Sequence, residues 1–237
     1  MKSQMIDKPV MIITGTRKGI GKYLAEYYIE KGFIVIGSSR GDNGFEMNNY
    51  NHYCLDVTDE ISVKNMFSEI RKKYGRLDIC INNAGIASMN HILLTPLKSA
   101  YDIINTNFIG TFLFCREAGK IMKNNGYGRI VNFTSVGTKL KIEGEAIYTA
   151  SKAAVENLTE VLSREYSDFG ITVNAIGPTP IKTDLIRSVP KEKIENITKR
   201  LAIQRLTENK DISNVIDFFL KKESNFITGQ IIHLGGA

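Results

Sequence analysis

The chain has 237 residues, of which 43% are hydrophobic and 24% charged, with a formal net charge of +6. That length suits one α/β domain, here read as spanning residues 1–237, and the balance of residue types excludes a disordered or repetitive chain. The lysines and arginines are spread along the sequence rather than clustered, so no nucleic-acid partner is expected, and the positive balance serves at most to attract an anionic ligand.

In chain order, Met1 to Pro9 is polar, and the first apolar run, Val10–Ile13, is broken by Thr14-Gly15. A secretory signal or a membrane span needs a longer apolar stretch, so no membrane is expected and a cytoplasmic location is. Short apolar, β-branched runs predict strands at Val10–Thr14, Phe33–Gly37, Tyr53–Leu55, Leu77–Asn82, Arg129–Phe133, Ile171–Ile176 and Gln230–Leu234. Between them, apolar residues at three- and four-residue spacing predict helices over Ile20–Lys31, Ile61–Tyr74, Ala100–Lys123, Ile147–Phe169 and Lys210–Leu220. This alternation predicts an α/β fold of the Rossmann, doubly wound type, a seven-stranded parallel sheet with helices on both faces.

Helix boundaries are marked as well. Asp59 is placed to cap a helix, Thr95 to cap another with Pro96 at its first position, and Gly32, Gly75 and Gly170 to stop helices before strands. The stretch from Pro178 to about Arg205 is irregular and reads as a loop with one short helix, a substrate lid at about 179–201. Cys54, Cys80 and Cys115 lack CxxC spacing and read as free thiols, Cys80 and Cys115 within apolar core patterns. No metal is expected.

The first chemistry-bearing motif is Thr14-Gly15-Thr16-Arg17-Lys18-Gly19-Ile20-Gly21, between the first strand and the first helix. Gly15, Gly19 and Gly21 suit a tight turn and close approach of backbone to a pyrophosphate, which the helix N-terminus favours. At the end of the second strand, an acidic side chain would bind the ribose diol of NAD. Here the run is Gly37-Ser38-Ser39-Arg40. Ser39 occupies the acidic position, and Arg40, helped by Arg17 or Lys18, suits the 2′-phosphate of NADP(H). Asp42 also lies about 20 residues beyond the glycines, but on a Gly41-Asp42-Asn43-Gly44 turn past the strand.

Tyr148 and Lys152 lie four apart on one helix face, where an ammonium lowers the pKa of a phenol and fits it for proton transfer. Ser135, just beyond the fifth strand, is placed to hydrogen-bond a substrate oxygen, with Thr134 as the neighbouring alternative on the opposite side of the strand.

Together these motifs resemble the short-chain dehydrogenase/reductase family in its single-domain branch, over nearly the whole chain. Within it the nearest likeness is to 3-oxoacyl-[acyl-carrier-protein] reductases. Asp56 after the third strand, Asn82-Asn83-Ala84-Gly85 after the fourth, Asn107-Phe108-Ile109-Gly110, and Phe226-Ile227-Thr228-Gly229-Gln230 extend the match. The resemblance implies that Tyr148 is the proton donor in reduction and that Ser135 orients the substrate oxygen. It implies that Lys152 tunes the tyrosine and bonds the nicotinamide ribose, and that Asn107 holds a water linking Lys152 to solvent. Asp56 and Val57 would flank the adenine, and Asn83, Ala84 and Gly85 the ribose region. Pro178, Ile181 and Thr183 would face the nicotinamide amide and phosphates.

Some of these reductases dock an acidic carrier through two basic side chains; Arg129 matches one position and Phe169 stands at the other. The expected substrate is a small-molecule or acyl-linked carbonyl, with a sugar or cell-surface precursor as the alternative. An NAD-linked alcohol oxidation and a non-catalytic dinucleotide-binding regulator are the rival functions. A homo-oligomer, dimer or tetramer, is expected by the same likeness. Two departures stand out: Gly177-Pro178-Thr179-Pro180 replaces a Pro-Gly turn, where threonine resists positive φ. His233 precedes the last glycines in place of an aspartate and reads as structural or interfacial.

Overall fold

The computed structural model describes residues 8–42, 47–181 and 191–237. Its strands are β1 Val10–Thr14, β2 Ile34–Ser39, β3 Tyr50–Cys54, β4 Ile79–Asn82, β5 Gly128–Phe133, β6 Ile171–Gly177 and β7 Ile231–His233. They form one seven-stranded sheet in the order β3-β2-β1-β4-β5-β6-β7, every neighbouring pair parallel. The order reverses between β1 and β4, and such a switch point opens a crevice at the carboxyl ends of the strands.

Alternation along the strands feeds two cores. Val10, Ile12, Ile36, Cys80 and Ile130 face one side, with helices α2 (Glu60–Tyr74) and α4 (Gly110–Asn125) packed on it. Met11, Ile13, Val35, Ile81 and Val131 face the other, covered by α1 (Gly19–Glu30) and α8 (Asn209–Leu220). Burial on both faces is why these strands read as continuous apolar runs. The remaining helices are α3 (Leu97–Ile104), α5 (Gly137–Leu140), α6 (Ala146–Glu165) and α7 (Lys191–Lys199).

The helix expected over Ala100–Lys123 is divided. Between α3 and α4 lies a π-type segment, Asn105–Ile109, in which the Gly110 N–H reaches back to the Asn105 carbonyl. Two tertiary contacts hold it there. The Asn107 side chain is bonded to Ile86, and Gly110 abuts Val57, where an added Cβ would lie 2.7 Å from Val57 Cγ2. The start of α3 also differs by one residue: Pro96 is the cap itself, and Thr95 closes the preceding turn by donating to the His91 carbonyl. Asp59 caps α2, accepting from the Ile61 and Ser62 N–H groups, and Gly32, Gly75 and Gly170 all take positive φ.

Beneath the carboxyl edge runs a buried polar layer. Asn82 donates to Asn132 at 2.8 Å, and Asn132 donates to Thr159 of α6 at 2.9 Å. Each amide is satisfied, so the layer ties β4, β5 and α6 without an orphaned group. Cys80 and Cys115 are buried beside it as free thiols, and Cys54 is exposed.

Candidate active site

The glycine turn rises from β1. The Gly15 N–H donates to the Ser38 carbonyl at 2.7 Å, which pins the turn to the end of β2. Gly15 and Gly19 have φ of 77° and 61°, a region L side chains rarely enter. A Cβ on Gly21 would collide with the Gly15 carbonyl oxygen. Asn83 donates to the Thr14 carbonyl at 2.8 Å, and the Ala84 N–H to Thr14 Oγ1 at 2.9 Å, so the end of β4 buttresses the turn.

Helix α1 begins after Lys18 with no side-chain cap and no acidic residue in its first turn. Its N-terminal N–H groups are thus neither capped nor faced by a carboxylate of the helix's own first turn, and the arrangement fits a pyrophosphate. At the end of β2, Arg17 lies against Gly41, where an added Cβ would sit 2.9 Å from its Nη1. Arg40, which follows β2, is exposed, so both guanidinium groups belong to the segments around the end of that strand. Asp56 forms a local turn, accepting from the Thr58 N–H and hydroxyl at 2.9 and 2.8 Å.

The mouth is completed by β5, α6 and the π-type segment. Lys152, buried on α6, donates from Nζ to the Phe133 carbonyl at 2.8 Å. Burial lowers its pKa to about 8. Gly85 sits against it: an added Cβ there would lie 3.4 Å from Lys152 Nζ and 3.2 Å from Asn107 Oδ1. Asn107 is fully buried; its side chain bonds the Ile86 N–H, the Ile86 carbonyl and Ser151 Oγ at 2.8–3.0 Å.

The Ser135 side chain lies near enough to the Tyr148 hydroxyl to act on its ionisation. Burial pushes the Tyr148 pKa up to about 12, Ser135 opposes this, and the charge of Glu145 adds to the rise. Thr134 points away, donating to Glu156 Oε1 at 2.6 Å, so Ser135 alone of the pair addresses the mouth.

Three acidic or basic participants escaped the sequence reading. Glu145 precedes Tyr148 by three residues, one helical turn away. A Cβ on Gly137 would lie 2.9 Å from Glu145 Oε2 and 3.3 Å from Ser135 Oγ, so the carboxyl borders the same mouth. Burial raises its pKa to about 7, opposed by Lys193 of α7. Glu156 accepts from Thr134, Thr138 and His233 at 2.6, 2.6 and 3.0 Å. Burial opposes its ionisation, but those partners hold its pKa at about 2. Through it His233 braces the loop after Ser135. His52 of β3 is the third, with its Nε2 3.0 Å from Ser39 Oγ at the end of β2.

Thr179 does not enter positive φ. It is buried and exchanges bonds with Thr207, donating its N–H to Oγ1 at 3.1 Å and receiving the Thr207 N–H at 2.7 Å. The Pro178 carbonyl accepts the Val136 N–H at 3.2 Å, and Ile181 is buried. Of the expected lid, residues 182–190, Thr183 among them, lie outside the described residues. Helix α7 packs Ile197 with Val136 and Leu140, next to Ser135.

A parallel sheet of this order, a glycine turn at its switch point and a serine–tyrosine–lysine mouth define a dinucleotide-dependent oxidoreductase, and the chain belongs to the short-chain dehydrogenase/reductase family. The family model described as enoyl-(acyl carrier protein) reductase matches residues 15–236. Among curated proteins, the chain is 31% identical over 233 residues to the 3-oxoacyl-[acyl-carrier-protein] reductase of Escherichia coli, covering 96% of each chain. The corresponding Vibrio cholerae reductase is 30% identical over 237 residues, covering 98% of this chain and 97% of that one. Among solved structures, Thermoplasma acidophilum aldohexose dehydrogenase matches with a TM-score of 0.88 at 31% identity, over 97% of this chain and 93% of that one. A putative gluconate dehydrogenase from Agrobacterium tumefaciens matches with a TM-score of 0.89 at 26% identity, over 98% and 96%.

The raised pKa of Glu145 has a consequence for stability. The folded chain holds that proton up to about pH 7, whereas the unfolded chain releases it near the ordinary carboxyl value of 4.5. Stability is therefore lost as pH rises between those values. Glu145→Gln should be more stable than the wild type at pH 8, with the difference vanishing towards pH 4.5, as read by chemical denaturation. A difference that does not change with pH would contradict the burial of an ionising carboxyl.

Proposed function

We propose that the protein is an NADP(H)-dependent oxidoreductase that interconverts a carbonyl and a secondary alcohol. The observation that carries the reading is Ser135 and Tyr148 brought together at one mouth, with a buried Lys152 whose Nζ is held at the end of the neighbouring strand. When bound, the dinucleotide supplies the hydride in reduction and accepts it in oxidation. Gly15, Gly19, Ile20 and Gly21 would cradle its pyrophosphate, and Ser39, Arg40, Arg17 and Lys18 its 2′-phosphate. Asp56, Val57, Asn83, Ala84 and Gly85 would line the adenosine side, with Pro178, Ile181 and Thr183 on the nicotinamide side.

In reduction, Tyr148 gives its proton to the substrate oxygen, and Ser135 donates a hydrogen bond to the same oxygen as negative charge gathers there. Lys152, as an ammonium, stabilises the phenolate left behind. Asn107 acts here as a positioning residue, since its side chain is spent on Ile86 and Ser151. The water relay would use its backbone carbonyl, whose second lone pair is not needed by the Thr111 hydroxyl.

For the substrate, the first reading is an acyl-linked or small-molecule ketone, as the names of the curated relatives suggest. Docking of an acidic carrier through Arg129 is not supported, because that side chain is 3% exposed and lies over the Tyr127 ring. A second reading, a hydroxylated carbonyl such as a sugar, is favoured by Glu145, whose carboxyl borders the mouth and can accept from a substrate hydroxyl. We also propose a homo-oligomer, a dimer or tetramer built on the long helices. Phe112 of α4 and Val161 of α6 leave 36% and 43% of their surfaces exposed.

Tyr148→Phe should keep calorimetric affinity for NADP+ and lose turnover by about 10²–10⁴-fold, assayed with NADPH against a panel holding a β-keto thioester and several sugar ketones. Turnover equal to the wild type would remove Tyr148 as the acid. NADP+ should bind at least about tenfold more tightly than NAD+, as charge-assisted bonds from two arginines to a phosphate require. Equal affinities would contradict the assignment of Arg17 and Arg40.

A further inference from the structure

A continuous chain of side chains runs from the glycine turn to the end of β2. Thr16 Oγ1 lies 2.8 Å from Tyr50 Oη, and Tyr50 Oη lies 2.9 Å from His52 Nδ1. On the far side of the ring, His52 Nε2 lies 3.0 Å from Ser39 Oγ and 3.1 Å from the Gly41 carbonyl oxygen. Ser39 Oγ itself donates to that same carbonyl at 2.6 Å. Gly37 makes room for the chain, since a Cβ there would collide with Tyr50 Oη and Thr16 Oγ1.

The Gly41 acceptor points to one arrangement of hydrogens along the chain. The Gly41 carbonyl can only accept, and the Ser39 proton is already turned towards it, so His52 Nε2 carries a hydrogen and donates to Ser39 Oγ and the carbonyl. In the neutral ring Nδ1 is then a lone pair, which makes Tyr50 the donor to it and Thr16 the donor to Tyr50. Tyr50 thereby selects the tautomer in which His52 donates at Ser39 and Gly41.

We propose that His52 is a positioning residue that sets the preference for a 2′-phosphorylated dinucleotide. This rests on the NADP(H) reading above. A phosphate offers only acceptors, so Ser39 can bond it only by turning its proton away from the Gly41 carbonyl. A ribose 2′-hydroxyl can donate to Ser39 Oγ and leaves that proton where it is. Turning the proton would strip the carbonyl of a partner, which is unfavourable. His52 Nε2–H remains on the carbonyl and removes that cost. The benefit falls on the 2′-phosphate alone, whereas Arg17 and Arg40 supply the charge.

Two substitutions separate the ends of the ring. His52→Gln places an amide N–H where Nε2 stands and keeps the donor to Gly41. His52→Asn reaches only as far as Nδ1 and loses it. The test is calorimetric titration of the wild type and both variants with NADP+, NAD+, 2′,5′-ADP and 5′-AMP, with the melting temperature of each variant recorded.

The expected result is that His52→Asn lowers affinity for NADP+ and 2′,5′-ADP by about five- to tenfold, leaves NAD+ and 5′-AMP nearly unchanged, and is rescued by His52→Gln. In a Ser39→Ala background the His52→Asn effect should vanish. Equal losses for both nucleotide pairs, or no loss, would overturn the proposal. Should His52→Asn fail to fold, Tyr50→Phe, which frees the tautomer, should show the same selective loss in smaller measure, and its absence overturns the proposal equally. A wild type without preference for NADP+ would refute the cofactor reading itself, and a preference that survives His52→Asn refutes only the role of His52.

Discussion

Lys152 is an ammonium that is almost wholly buried, and much of the mouth is organised to keep it there. Its Nζ is bonded to the last carbonyl of β5, Phe133, at 2.8 Å. That bond takes one of the three donors of the ammonium, and the others face the mouth by Gly85 and Asn107. Desolvation opposes the charge and lowers its pKa to about 8, while the same desolvation raises the Tyr148 phenol to about 12. The two groups are thus pushed towards their neutral forms together. A phenol in that state holds its proton firmly, as a donor must before the substrate oxygen develops charge.

The supports of this pair come from every neighbouring element. Asn107, in the π-type segment, holds Ile86 and Ser151 on either side of Lys152. Glu156, four residues beyond Lys152, gathers Thr134, Thr138 and His233 and so fastens β5, the loop after Ser135 and β7 to α6. The Asn82–Asn132–Thr159 layer does the same one level deeper. A catalytic group carried on a strand end or helix is only as well placed as these second contacts make it.

Much of the fold was legible because the strands are buried on both faces: runs such as Val10–Ile13 and Ile171–Ile176 hold residues of both cores. The edge strand was not legible to the same degree. Tyr50–Cys54 is only partly buried and carries Asn51 and His52, so the reading began at Tyr53 and passed over the two residues that form the Thr16–Ser39 chain. The π-type segment was hidden for another reason. Helical periodicity runs through it almost undisturbed, and its cause, Gly110 against Val57 and Asn107 against Ile86, is contact between residues distant in sequence. Glu145 and Glu156 look like ordinary surface charges of an amphipathic helix until the tertiary structure turns them inward.

The account depends on the phenol of Tyr148 being a strong holder of its proton in the free protein and a ready donor or acceptor once a cation lies over it. The direct measurement is a pH titration of tyrosine ring-carbon NMR signals, with Tyr148 assigned by comparison with Tyr148→Phe, in the absence and presence of NADP+. The Tyr148 signal should titrate far on the alkaline side, near pH 12, in the free protein. With oxidised cofactor bound it should move markedly towards neutrality, because the added positive charge and Lys152 then favour the phenolate together. A Tyr148 signal that titrates at the same pH in both states would contradict the account.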